Sequence, residues 1–237
     1  VHNLVTLSRY PIAASREVMH ALVAPPLYRL ATADPPAEGP QPVRFDRPLL
    51  VADLALPGGD TLSVVNLHLR APLAASVPGQ KLEPFVWRSV GGWAEGYFLS
   101  GLRRGAQALE LRLLLEAMLD RDPQRLIAVA GDFNAEEHEV PVRIAVGAEE
   151  DTGNGALAGR SLVLLDRALA EDRRWSSLHH GRREMLDHIL ASRALHSRFR
   201  SVDVHNETLG DELVGYAKHL RSSASHHAPV VAEFAGW

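Results

Sequence analysis

Residues 126–137, LIAVAGDFNAEE, constrain this chain more than any other stretch. Leu126, Ile127, Ala128, Val129 and Ala130 form an uncharged apolar run, the pattern of a strand buried on both faces inside a layered α/β protein. Gly131 breaks the run, and Asp132 and Asn134 follow with Phe133 between them. If the backbone stays extended past Gly131, Asp132 and Asn134 point to one side and Phe133 to the other. A carboxylate and an amide then leave the end of a buried strand together, a common position for a site in such folds. The same residues also suit an Asp turn closing a strand, since Asp and Asn favour turns after Gly. Two further strand-like segments tilt the balance toward chemistry. Residues 64–69, VVNLHL, and 185–190, MLDHIL, each carry paired polar groups of their own.

Composition narrows the classes. A length of 237 residues suits one large domain or two small ones, and 46% hydrophobic content is ordinary for a globular core. A formal net charge of −4 gives no general attraction to nucleic acid or anionic membrane and leaves room only for a local basic patch. The absence of cysteine excludes disulfides and thiolate metal sites. No apolar run approaches the roughly 20 residues of a membrane span. Nothing fixes a compartment.

Along the chain, residues 2–8 read as a strand ended by the turn Arg9-Tyr10-Pro11. Residues 24–42 are rich in proline and read as loop. Residues 44–56 and 61–69 read as a hairpin across Pro57-Gly58-Gly59-Asp60, with Asn66 and His68 on one face of its second strand. Asn66 is expected to support the site through hydrogen bonds. Residues 70–101 are long for a connection, and Phe85, Trp87, Trp93, Tyr97 and Phe98 argue against disorder. Two readings fit: an ordered insertion beside the site that shapes the substrate pocket, or a cover for a sheet edge.

The clearest helix spans 105–119, with Ala108, Leu111, Leu115 and Met118 inward and Glu110, Arg112 and Glu116 toward solvent. Asp122-Pro123 ends it. Glu136, Glu137 and Glu139 read as a solvated first helical turn. The glycine-rich stretch 151–159 lacks the Lys and Ser/Thr of a phosphate-binding loop. His179-His180 has only Glu184 at workable spacing for zinc and reads as loop. Residues 199–204 suggest another strand, and 223–234 the last loop and strand.

GDFNA, NLHL, LDHIL and SHHAPVV (225–231), in this order, resemble the endonuclease/exonuclease/phosphatase superfamily. That superfamily includes DNase I-like nucleases, abasic-site endonucleases, sphingomyelinases and inositol-phosphate phosphatases, and the match looks closest to bacterial members described only as hydrolases. The resemblance runs from LSRYPI near the start to APVVAEF near the end. It implies an α/β fold, a two-sheet β-sandwich flanked by helices (the DNase I-like four-layer sandwich), as a single domain over 1–237. It further implies that strands supplying an Asn and a metal-binding Glu precede Val1, so that this chain is incomplete at its N-terminus, would be inactive alone and would expose a sheet edge.

The activity implied is metal-dependent hydrolysis of a phosphate ester by in-line attack of water, with Mg²⁺ or Mn²⁺ polarising the phosphoryl group. By resemblance, Asp132 is the water-activating or protonating carboxylate, and Asn134 and His68 are donors to phosphate oxygens. His227 is the imidazole partner, and Asp187 the carboxylate that fixes its tautomer. His188 follows Asp187, faces the other way and is structural. His226 stands where most members carry a metal-binding Asp. A neutral nitrogen there weakens Mg²⁺ and tilts preference toward Mn²⁺ or Zn²⁺. The substrate implied is nucleic acid, a phospholipid head group or a small phosphate ester, without an obligate protein partner. The contrary reading is a catalytically silent relative kept for binding. His226 and the missing Glu favour it, and five intact polar residues oppose it.

Overall fold

The computed structural model describes residues 4–213 and 225–236. In chain order it contains β1 (Ile12–Val18), the short β2 (Leu27–Tyr28) and β3 (Gln41–Pro42), β4 (Leu49–Ala55), β5 (Thr61–His68), β6 (Lys81–Glu83) and β7 (Val86–Trp87). Then come α1 (Val90–Arg121), β8 (Leu126–Asp132), α2 (Val140–Val146) and β9 (Val163–Leu164). β10 (Ser177–His179), β11 (Arg182–Glu184), β12 (Asp187–Ala191), α3 (Arg193–His196), β13 (Phe199–Val204) and β14 (Val230–Phe234) complete it.

Six strands form one mixed sheet in the order β1-β4-β5-β8-β12-β9. The apolar run of the GDFNA segment is its β8, with Ile127 and Val129 fully buried. One face packs on α1, where Leu111 and Leu115 meet Val51, Val65, Leu67 and Val129. On the other face the β13–β14 pair applies Phe199, Val202, Ala232 and Phe234 to Leu126, Ala191 and Leu195. Helix, sheet and strand pair are thus layered as the two-sided apolar run of β8 requires. The hairpin of β4 and β5 forms in the expected place, with Ala55 opposite Thr61.

β5 and β8 are parallel, and α1 joins them. The helix therefore runs back against both strands, and its first half lies at the end of the sheet where His68 and Asp132 sit.

Several expectations change. The described part of the 2–8 segment, residues 4–8, carries no strand; only the bends at Arg9 and Tyr10 follow the reading, and the edge strand is β1. Residues 70–101 are not simply a loop. They hold the β6–β7 pair and the opening of a 32-residue helix, capped by Ser89, whose hydroxyl accepts from the Gly92 amide. Gly91, Gly92, Gly96, Gly101 and Gly105 lower the intrinsic helix propensity there, which hid this half of α1. His179-His180 stands at the turn of the β10–β11 hairpin, with His180 at φ 54°.

Glu110 and Arg112 do not face solvent. Glu110 is fully buried and accepts from the backbone amides of Ala21 (2.8 Å), Leu22 (3.1 Å) and Val23 (2.8 Å). Arg112 is buried against the end of α2, donating to the Ala145 and Val146 carbonyls at 3.3 Å each. A Glu110→Ala substitution leaves three amides without an acceptor, and a loss of about 2–3 kcal/mol in unfolding free energy is expected in urea titration. A change below about 0.5 kcal/mol would show that this loop holds without the carboxylate.

Candidate active site

The strand register alone assembles half the site. His68 of β5 pairs with Asp132 of β8, and Asp187 of β12 pairs with the same Asp132 from the other side. Three polar residues thus form one row across three neighbouring strands. Gly131 permits this spacing. Its φ is +149°, and a Cβ on it would lie 1.9 Å from the Leu67 carbonyl oxygen.

His227 joins from a segment far along the chain. The Ala228 amide donates to the Ser176 carbonyl at 2.8 Å, and His227 bridges Ser177. Its Nδ1 then lies 2.6 Å from Asp187 Oδ2 and 3.9 Å from Asp132 Oδ2. Ser176 Oγ donates to the same Asp187 oxygen at 2.7 Å and accepts from the amides of Leu186 and Asp187 at 3.1 Å each. Asp187 is therefore held from both directions.

Asp132 is gripped more tightly. The Asn134 amide donates to Oδ1 at 2.7 Å, and Asn134 Nδ2 lies 3.1 Å from Oδ2 and 2.9 Å from the Leu69 carbonyl. His68 Nε2 stands 3.3 Å from Oδ2. The extended alternation expected after Gly131 does not persist: β8 ends at Asp132, and Asn134 adopts φ 48°. Asn134 reaches Asp132 by turning back, while Phe133 is buried in the core as expected.

Burial raises the Asp132 pKa to about 6, helped by the neighbouring Asp187 charge and opposed by His227, the Asn134 amide and Arg47. The hydrogen bond to Asp187 raises His227 to about 9 against the opposing effect of burial. Near neutral pH the cluster holds an imidazolium between two carboxylates, with Nδ1 committed to Asp187.

Among the described residues, Asp132, Asp187 and His227 form a group that could hold a metal ion, with one ligand atom from each lying within 4.8 Å of the others. Two carboxylate oxygens suit a hard divalent cation, and such an ion would offset the repulsion that raises Asp132. The donor set fits.

Residues 2–211 match the model of the Endonuclease/Exonuclease/phosphatase family. The chain belongs to this family. Two solved structures agree on the fold. A 3′ phosphatase, NExo, from Neisseria bound to product DNA hairpin is 16% identical with a TM-score of 0.52, over 97% of this chain and 73% of that one. Truncated Caenorhabditis elegans TDP2 is 12% identical with a TM-score of 0.50, over 93% and 64%. The human Nocturnin catalytic domain with bound sulfate anion is 17% identical with a TM-score of 0.43, over 83% and 51%. The chain therefore spans between 51% and 73% of the length of these structures. No curated protein matches it.

Within this family member, His68, Asp132, Asn134, Asp187 and His227 come together. His226 is half-buried and lies outside the group of candidate ligands. Residue 223, where the last loop was expected to begin, lies outside the described residues. Asn66 does not serve the site; its Nδ2 donates to the Val5 carbonyl at 3.0 Å. His188 faces away, as alternation predicts, with Nδ1 3.2 Å from Asp166 and Nε2 2.9 Å from the Ala135 carbonyl.

Three contributors escaped the sequence reading. Ser176 orients Asp187, Arg47 donates to the His68 and Leu69 carbonyls at 3.3 Å each, and Arg104 donates to the Asn134 carbonyl at 2.6 Å. Their partners lie 11 to 30 residues away along the chain, so no local spacing marks them.

Proposed function

We propose that this chain carries the site of a metal-dependent phosphoesterase, acting on a phosphomonoester or phosphodiester by in-line attack of water. The observation that carries the reading is the cluster itself: a partly desolvated Asp132 beside an Asp187–His227 pair, in one row with His68.

Asp132 takes the proton of the attacking water as the new oxygen–phosphorus bond forms; the ester oxygen–phosphorus bond breaks, and its oxygen leaves as an alkoxide or aryloxide that takes its proton from solvent. Asn134 holds that carboxylate in place, and His68, beside it, would donate to a phosphate oxygen. His227, held protonated by Asp187, keeps Nδ1 on the carboxylate and offers its other nitrogen to the phosphate, stabilising charge as it develops. Ser176 and Asp187 hold that ring. Asp132 and Asp187 would hold the divalent ion, Mg²⁺ or Mn²⁺, which when bound polarises the phosphoryl group. If His226 contributes a nitrogen, preference moves toward Mn²⁺.

The pH dependence follows from these states. Asp132 works ionised, so activity rises with pH through about 6; His227 works protonated, so activity falls as pH passes about 9. The expected kcat/KM profile on bis-p-nitrophenyl phosphate is bell-shaped. A bound cation stabilises the Asp132 carboxylate, so the acid limb should move lower as cation concentration rises. A maximum on the acid side of the Asp132 limb would assign the wrong protonation states and sink this division of roles.

A further inference from the structure

The stripe by which α1 faces the sheet changes character along its length. Ala108, Leu111, Leu115 and Met118 are buried and apolar. Earlier on the same stripe stand Ser100, Arg104 and Gln107, three polar side chains that are also buried. Each donates to a backbone carbonyl that the sheet does not use. Ser100 takes that of Leu73 at 2.5 Å, Arg104 that of Asn134 at 2.6 Å and Gln107 that of Arg47 at 3.0 Å. The helix thus fastens the loops before β4, after β5 and after β8.

Arg104 differs from the other two in carrying a charge. Its Nε is buried without a hydrogen-bond partner, and among the described residues no carboxylate forms an ion pair with it. Arg103 beside it, by contrast, has Asp46 at 3.5 Å. Removing a cation from water without a counter-ion is unfavourable, and an apolar side chain of similar volume would pack there without that penalty. Stability alone gives no reason for arginine at this position.

The carbonyl that Arg104 takes belongs to the residue with φ 48°. A residue with a Cβ keeps such a conformation only where its surroundings impose it. The next carbonyl, of Ala135, is taken by His188 Nε2 at 2.9 Å, so buried donors hold two successive peptides. The turn they hold brings the Asn134 amide to Asp132 Oδ1 at 2.7 Å and Asn134 Nδ2 to Oδ2 at 3.1 Å. Without Arg104 the peptide after Asn134 is free to rotate, and both donors drift from the carboxylate.

We infer that Arg104 is a positioning residue of the site: it holds the left-handed turn at Asn134 and, through that turn, the carboxylate of Asp132. The hold itself needs no reaction; that it serves hydrolysis rests on the phosphoesterase reading.

Two substitutions on α1 separate positioning from stability. Arg104→Met removes the hold. Arg112→Met removes a similarly buried guanidinium about two turns further on, from the Ala145 and Val146 carbonyls. Arg104→Met is expected to lower kcat on bis-p-nitrophenyl phosphate by about 10–100-fold, the range for partners that orient the side chains of a metal site. KM should change by less than about threefold, and Arg112→Met should leave kcat within about twofold. Hydrogen exchange at the Asn134 amide, followed by NMR, should quicken at least about tenfold in Arg104→Met and stay unchanged in Arg112→Met. Arg104→Lys keeps a charged donor without the planar fork and should fall between Met and parent in both measurements. If the Arg104→Met protein does not fold, the Lys protein is judged by the same two measurements. Unchanged exchange, unchanged kcat in a folded Arg104→Met protein whose parent turns over, or equal losses of kcat in the two Met proteins each overturns the inference. A parent that hydrolyses nothing contradicts the phosphoesterase reading alone, and the exchange rates then decide whether Arg104 holds the turn.

Discussion

Replacing His227 by Ala is expected to lower kcat by about 10²–10³, the range for loss of a positioned donor that stabilises developing charge. Its Nδ1 sits 2.6 Å from Asp187, and this contact both fixes the ring and keeps it charged. Asp187→Asn should then cost nearly as much, because a neutral amide neither orients nor stabilises the imidazolium. The two losses should not add: in the double substitution the second change removes little that the first has left. Ser176→Ala should cost less, since His227 still holds the same carboxylate oxygen. Single-turnover rates on bis-p-nitrophenyl phosphate, with melting temperatures to confirm folding, measure all four proteins. Fully active, folded His227→Ala protein would remove the imidazole from the mechanism.

Gly131→Ala is expected to cost about 3 kcal/mol or more in stability, a large share of what a domain possesses. Two effects act together. The new Cβ meets the Leu67 carbonyl, which belongs to the ladder between β5 and β8 and cannot swing aside as a side chain would. A φ of +149° is also a conformation that residues with a Cβ rarely adopt. The damage falls between His68 and Asp132, so any surviving protein should also lose activity. Gly155→Ala is the control: nothing lies within 4 Å of the Cβ position, and a change within about 0.5 kcal/mol is expected. Urea midpoints compare the two. Equal, small changes would mean that the parallel pair can open without cost.

Most of the site was legible because its polar residues terminate or flank short apolar strands, and buried strands announce themselves. GDFNA, NLHL and LDHIL fall on β8, β5 and β12, and their register makes them neighbours. β13, half of it exposed, was legible from the spacing of Phe199, Val202 and Val204. Periodicity failed where sequence and environment diverge. The opening turns of α1 are glycine-rich, so the helix starts at Val90 instead of Gly105. Glu110 stands beside an apolar stripe and reads as solvated, yet three amides from a distant loop replace its water. Asn134 reaches Asp132 through a left-handed turn that an alternating pattern does not foresee. Arg47 and Ser176 lie in loops and Arg104 on α1, and only tertiary packing brings them to the site.

Hydrolysis of bis-p-nitrophenyl phosphate with Mg²⁺ or Mn²⁺, in excess EDTA, and by an Asp132→Asn protein decides whether this cluster is a metal-dependent phosphoesterase site. Turnover by a protein that carries this chain is expected only with the cation, and Asp132→Asn should lower it by about 10²–10⁴. Unchanged turnover in excess EDTA, or an unimpaired Asp132→Asn protein, would contradict the assignment of this cluster as a metal-dependent phosphoesterase site.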